Sequence, residues 1–181
     1  MDKAELRAAM RAQPTIDAEL NRWIVKGLFT WLSARLPGTV SAFLGMSGEV
    51  DLSSLFTRLP GWRWVLPRIE ADGSMTFRDR DLPRETHRWG MEQPTDAGPV
   101  IPLHEIDVFL TPGLAFDRTG GRLGNGGGFY DRVLATKRRD SPAVGITLAR
   151  RVVDIVPMEP HDQRVDWLAT ENGVTPCSPS R

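Results

Sequence analysis

Six glycines fall in the short stretch Gly120, Gly121, Gly124, Gly126, Gly127 and Gly128, and the cluster then ends abruptly at Phe129. An apolar run, Ile106 to Leu114, precedes it, and a segment with helical spacing follows. Glycine has no Cβ, so a chain built this way can bring its backbone very close to a partner. Converging backbone N–H groups at the start of a helix make phosphate the natural partner. Two common phosphate-loop patterns are excluded. The ATPase loop ends in Gly-Lys-Ser/Thr, whereas Gly128 is followed by Phe129 and Tyr130. The dinucleotide fingerprint, counted from Gly124 and Gly126, needs glycine where Phe129 stands. A plain surface hairpin remains the alternative, since glycine clusters also mark turns.

The order of elements points to an α/β chain. Lys3, Arg7 and Arg11 share one face of a helix over residues 2–12, with Leu6 and Met10 on another. Residues 16–36 keep a helical apolar period from Leu20 to Leu32, with Thr15 placed as the cap and Pro37-Gly38 as the stop. Strands are expected at 39–44, 64–66, 75–77, 106–110, 143–148 and 165–169. Helices are expected near 51–59 and 129–137. Residues 79–103 hold five prolines and no period, which predicts a long ordered loop or lid. The alternation predicts a three-layer α/β sandwich, Rossmann-like, with helices on both faces of a mainly parallel or mixed sheet. In such sheets ligands sit beyond the carboxyl ends of strands, so the loops 45–49, 111–131 and 157–164 should line one crevice. One domain over residues 1–181 is expected, with a flexible tail from about 174.

With 23 basic and 23 acidic residues, there is no electrostatic case for nucleic acid or an anionic membrane. No apolar run approaches the roughly 18 residues of a membrane span. The charged, helical start MDKAELRAAMR does not resemble a signal peptide, and a cytoplasmic monomer is expected. A lone Cys177 excludes an internal disulfide, and His87, His104 and His161 lack metal spacing.

The block Arg122-Leu123-Gly124-Asn125-Gly126-Gly127-Gly128-Phe129-Tyr130-Asp131, preceded by Pro112-Gly113 and Phe116-Asp117, closely resembles the signature of the 5-formyltetrahydrofolate cyclo-ligase family. Other pieces match in order: Lys3 and Arg7; Leu44, Met46, Glu49 and Val50; Pro67-Arg68; Trp89, Gly90, Met91 and Pro94; and Pro157, Asp162, Val165 and Asp166. Asn125 departs from the pattern, standing where many members carry Tyr or a basic residue. The resemblance covers nearly the whole chain and implies a compact α/β sandwich with its active site at strand ends.

It also implies a reaction: 5-formyltetrahydrofolate and ATP become 5,10-methenyltetrahydrofolate, ADP and phosphate. Phosphorylation makes the formyl oxygen a leaving group, and the 10-nitrogen then closes the ring. The protein's work is positioning and charge neutralisation. By the resemblance, Arg122 and Lys3 are the catalytic cations. ATP is held by Lys3, Arg7, Arg122, Leu123, Gly124, Asn125, Gly126, Gly127, Gly128, Phe129 and Tyr130. Leu44, Met46, Glu49 and Trp89 face the folate. Asp131 and Asp162 hold Mg²⁺, a hard ion that takes carboxylate, phosphate and water. Asp131 also reads as a first-turn helix carboxylate, Asp162 as a turn former, and Asp117 as the shaper of a turn into Thr119-Gly120. A non-catalytic folate- or nucleotide-binding relative of the same fold is the alternative.

Overall fold

The computed structural model describes residues 1–46 and 48–178. Asp2 opens α1 (Lys3–Arg11) with a reciprocal cap: its carboxylate accepts from the Ala4 and Glu5 amides, and the Glu5 side chain accepts from the Asp2 amide. The second helix, α2 (Ala18–Ser33), starts later than Thr15 would place it. Asp17 is the cap, its carboxylate accepting from Leu20 N at 2.8 Å.

Strands β1 (Thr39–Ser41), β2 (Arg63–Ile69) and β3 (Met75–Asp79) flank α3 (Ser53–Arg58). A two-stranded ribbon follows, β4 (Arg84–Thr86) with β5 (Glu92–Pro94), then β6 (Val108–Pro112). β7 (Ala115–Asp117) and β8 (Arg122–Leu123) frame the glycine segment, which leads into α4 (Phe129–Thr136). β9 (Ala143–Ile146), β10 (Val152–Val153), β11 (Trp167–Thr170) and β12 (Gly173–Pro176) complete the chain.

The main sheet runs β12-β11-β9-β6-β1-β2-β3. Its five central strands are parallel, and an antiparallel strand closes each edge. Alternation along the strands separates two cores. Trp64 and Leu66 of β2, and Val108 and Leu110 of β6, face α2 and α3. Val65 and Phe109, between them, face Phe77, Phe116 and the α4 residues Val133 and Leu134. A third cluster seats Leu6 and Met10 of α1 on Ala115 and Leu123 of the small sheet β10-β7-β8 and on Val156 just after β10. The architecture is thus α/β with a mixed sheet and a parallel centre.

Two stretches differ from the sequence expectation. Residues 79–103 contain a β-ribbon rather than only loop. β4 is fully exposed, so it has no buried alternation for a period to reveal. The ribbon is tied to the sheet by Arg68, which pairs with Glu70 at 3.1 Å and donates to Pro94 O at 2.7 Å. The tail expected from 174 is instead a strand to Pro176, paired with β11, and Ser178 N donates to Arg118 O. Its ladder hydrogen bonds hold it despite polar composition; residues 179–181 lie outside the described ones. No helix among the described residues is long and apolar enough to cross a membrane.

Candidate functional site

The strand order sets the place. From β1 the chain moves to β2 on one side, and later returns to β6 on the other. Loops leaving β1 and β6 therefore diverge, opening a crevice at their carboxyl ends. That crevice has a volume of about 1170 Å³. Every residue expected at the site lines it, from Lys3 and Arg7 on α1, through Glu49 and Trp89, to Asp162. Arg11, which the sequence gives no role beyond a solvated helix face, lines it too and donates to Asn125 Oδ1 at 3.4 Å.

One end gathers basic side chains, of which Lys3 and Arg122 are paired with acids. Arg7 Nε donates to Gly124 O at 3.0 Å, anchoring the glycine loop to α1. Gly126 and Gly128 have φ of 106° and 64°, a region side chains rarely adopt. Gly128 caps α4 with no side chain in the way, so the first-turn amides of α4 stand at the crevice wall. Arg122 is almost fully buried and pairs with Asp131 Oδ2 at 2.8 Å. The other oxygen of Asp131 accepts from Gln163 N at 3.1 Å. Lys3 Nζ lies 2.5 Å from Asp162 Oδ2 and 3.4 Å from Glu159. Burial pushes the Asp162 carboxyl up, but hydrogen bonds from Lys3 and the Glu159 amide outweigh it and hold the group below the usual range. Asp117 is a structural acid: it accepts from the Thr119, Gly121 and Val156 amides beneath the loop.

The other end carries apolar and aromatic side chains, with Glu49 and Arg151 as its charged groups. The turn after β1 folds Glu49 back, so that its carboxylate accepts from Met46 N at 2.9 Å. Burial raises the Glu49 pKa, and the Met46 amide and the charge of Arg151 only partly offset this. Tyr130 buries a hydroxyl with no partner among the described residues, and burial also raises its pKa. Trp89, at the ribbon tip, is half exposed and stands 5.8 Å from the Phe129 ring. Leu44 is half-buried nearby, and Met46 is exposed.

Among the described residues, no group of three or more His, Cys, Asp or Glu is placed to hold a metal. Asp131 and Asp162 each already contact a cationic side chain. Two carboxylates fit Mg²⁺ when phosphate oxygens and water supply the rest of its shell. The crevice thus offers cations and loop amides to phosphates at one end, and an acid with aromatic faces to a flat ring at the other.

Arg151 also lines this crevice and was not among the sequence candidates. It lies just beyond the carboxyl end of β9, a central parallel strand, and that position was the available signal.

The statistical model of the 5-formyltetrahydrofolate cyclo-ligase family matches residues 3–171. A 5-formyltetrahydrofolate cyclo-ligase of Escherichia coli K12 is 32% identical over 169 residues, covering 89% of this chain and 93% of that protein. One from Mycolicibacterium smegmatis is 29% identical over 180 residues, covering 93% of each. The solution structure of Aquifex aeolicus 5,10-methenyltetrahydrofolate synthetase superposes with a TM-score of 0.84 at 26% identity, over 100% of this chain and 95% of that one. A 5,10-methenyltetrahydrofolate synthetase from Mycoplasma pneumoniae gives 0.75 at 26% identity, over 94% and 99%.

Proposed function

The chain belongs to the 5-formyltetrahydrofolate cyclo-ligase family and is an enzyme of that class, and we propose from this premise that it uses ATP and Mg²⁺ to close 5-formyltetrahydrofolate into 5,10-methenyltetrahydrofolate. The observation that carries the reading is the two-ended crevice. Its 1170 Å³ exceeds the range of about 300–1,000 Å³ usual for one ligand, and its ends differ in chemistry. Two co-substrates of unlike character fit it.

In this reading the loop amides from Gly124 to Gly128, with Lys3, Arg7 and Arg122, hold the ATP phosphates. Asp131 and Asp162 would hold Mg²⁺, which supplies charge neutralisation at the phosphates when bound. Glu49 accepts N–H groups of the pterin, and Trp89 offers its face to the rest of the folate, with Leu44 and Met46 packing on it. This places the formyl oxygen toward the γ-phosphate. An oxygen–phosphorus bond forms as ADP leaves. The 10-nitrogen then adds to the formyl carbon, loses its proton, and phosphate departs with the carbon–oxygen bond. Arg122 and Lys3 neutralise charge on the transferring group. We place the reaction in the cytoplasm and on a monomer.

Purified protein with ATP and Mg²⁺ should form the ultraviolet-absorbing methenyl product from 5-formyltetrahydrofolate. Folded protein that binds both ligands yet forms no product would establish the binding-only relative instead.

Glu49→Gln should weaken folate binding by about 1.5–3 kcal/mol while ATP affinity stays nearly unchanged. Paired calorimetric titrations check this, and a shift in the ATP titration alone reverses the assignment. The wild type carries a matching pH signature. Because burial raises the Glu49 pKa, folate affinity should fall as pH drops through that raised value. The linked stability runs the other way: Glu49's contribution is fully present below the unfolded pKa and is lost as pH rises through the folded one.

Asp162→Asn should raise several-fold the Mg²⁺ concentration that gives half-maximal rate. An unchanged Mg²⁺ dependence with a lowered melting temperature would assign Asp162 to holding Lys3 alone.

A further inference from the structure

Behind Glu49 lies a small side chamber of about 20 Å³, room for one water. Its walls include Gly48, Glu49, Gly113, Thr147 and Arg151. Arg151 lines both this chamber and the main crevice, as does Glu49. Two polar atoms here are orphaned among the described residues: Arg151 Nε and Thr147 Oγ1. Arg122 and Lys3 each have a carboxylate partner, but Arg151 stands in no ion pair among the described residues. Its half-buried guanidinium is crowded by Arg150, and Glu49 is the acid that counters it. A short helical turn fixes its base, with Arg151 N donating to Leu148 O at 2.9 Å.

An unpaired fork of donors beside a carboxylate is half of a recognition pattern. The pyrimidine edge of a pterin offers, in sequence, an amino donor at position 2, an N–H donor at position 3 and a carbonyl acceptor at position 4. A carboxylate satisfies the two donors and leaves the carbonyl needing a donor of its own. We infer that Arg151 is a specificity residue that donates to the 4-oxo group of the folate while Glu49 holds the adjacent N–H groups. This rests on the folate reading of the crevice. A 4-amino ring would turn its own donors toward the guanidinium, so Arg151 selects 4-oxo pterins against 4-amino ones.

Binding of 5-formyltetrahydrofolate and of its 4-amino-4-deoxy counterpart, measured by calorimetry on wild type, Arg151→Met and Arg151→Lys, tests this. Wild type should prefer the 4-oxo ligand. Arg151→Met should lose about 10- to 100-fold in affinity for it and little for the 4-amino ligand, collapsing the preference. Arg151→Lys keeps charge and reach without the fork and should retain an intermediate preference; it carries the test if the Met variant fails to fold. Equal losses for both ligands, or no loss for either, overturn the role of Arg151 while leaving the folate site standing. Wild-type protein that binds neither pteridine overturns the folate reading and this inference with it.

Discussion

Arg122→Ala should lower turnover about 10²- to 10³-fold, the usual cost of removing a preorganised donor from a site of developing charge. It should also lower stability by about 3 kcal/mol, which a mobile phosphate contact would not do. The reason is burial. The Arg122 side chain is 4% exposed and Asp131 is 13% exposed, and their 2.8 Å contact neutralises both. Removing the cation leaves a carboxylate in poor solvent with only the Gln163 amide on its second oxygen. The two effects can be separated. Adding Asp131→Asn to Arg122→Ala removes the stranded charge and should recover most of the lost stability, while its turnover should stay below that of Asp131→Asn alone, a comparison in which the loss of a proposed Mg²⁺ ligand cancels. Thermal melts and single-turnover assays on the three variants read the pair. Recovery of activity along with stability would mean that Arg122 serves the fold alone.

That pair also marks the boundary of what the chain discloses as a string. The parallel centre of the sheet was legible because β6 and β9 are short apolar runs bounded by turn residues, and burial on both faces demands such runs. The glycine loop was legible because its parts are contiguous, and motif matching needs contiguity. The same condition fails for Arg122 and Asp131. They lie nine positions apart on either side of a loop, and only the fold of β8 against α4 brings them together. From sequence the acid therefore reads as a metal ligand by resemblance or as a first-turn helix carboxylate, and neither reading names Arg122. β7 and β8 span three and two residues, too few for a period to register. β12 is masked by tail-like composition, since half of an edge strand's pattern faces solvent. Arg151 belongs to no motif, and only its position after β9 gives it a role.

The glycines of the cluster should divide into two kinds, and alanine substitution separates them. Gly120 has φ of 87°, and a Cβ there would run into the backbone carbonyl of Val165, whose own amide donates to Gly120 O at 2.9 Å. Neither segment of that contact can retreat without breaking this hydrogen bond. Gly120→Ala should therefore cost about 3 kcal/mol or more, from left-handed strain plus the backbone clash. Gly126 differs. Its φ of 106° also disfavours a side chain, but the nearest atoms to a new Cβ belong to the Arg7 guanidinium at 3.8 Å, an ordinary contact distance. Strain of about 1–3 kcal/mol is then relieved by reshaping an exposed loop rather than by unfolding. Reshaping turns the loop amides away from their present directions, and those amides are the proposed phosphate donors. Gly126→Ala should thus melt within a few degrees of wild type while its KM for ATP rises about tenfold, and Gly120→Ala should lose the fold first. Melting curves and ATP titrations on both variants decide it: a Gly126→Ala protein with an unaltered KM for ATP would remove the glycine loop from the nucleotide site.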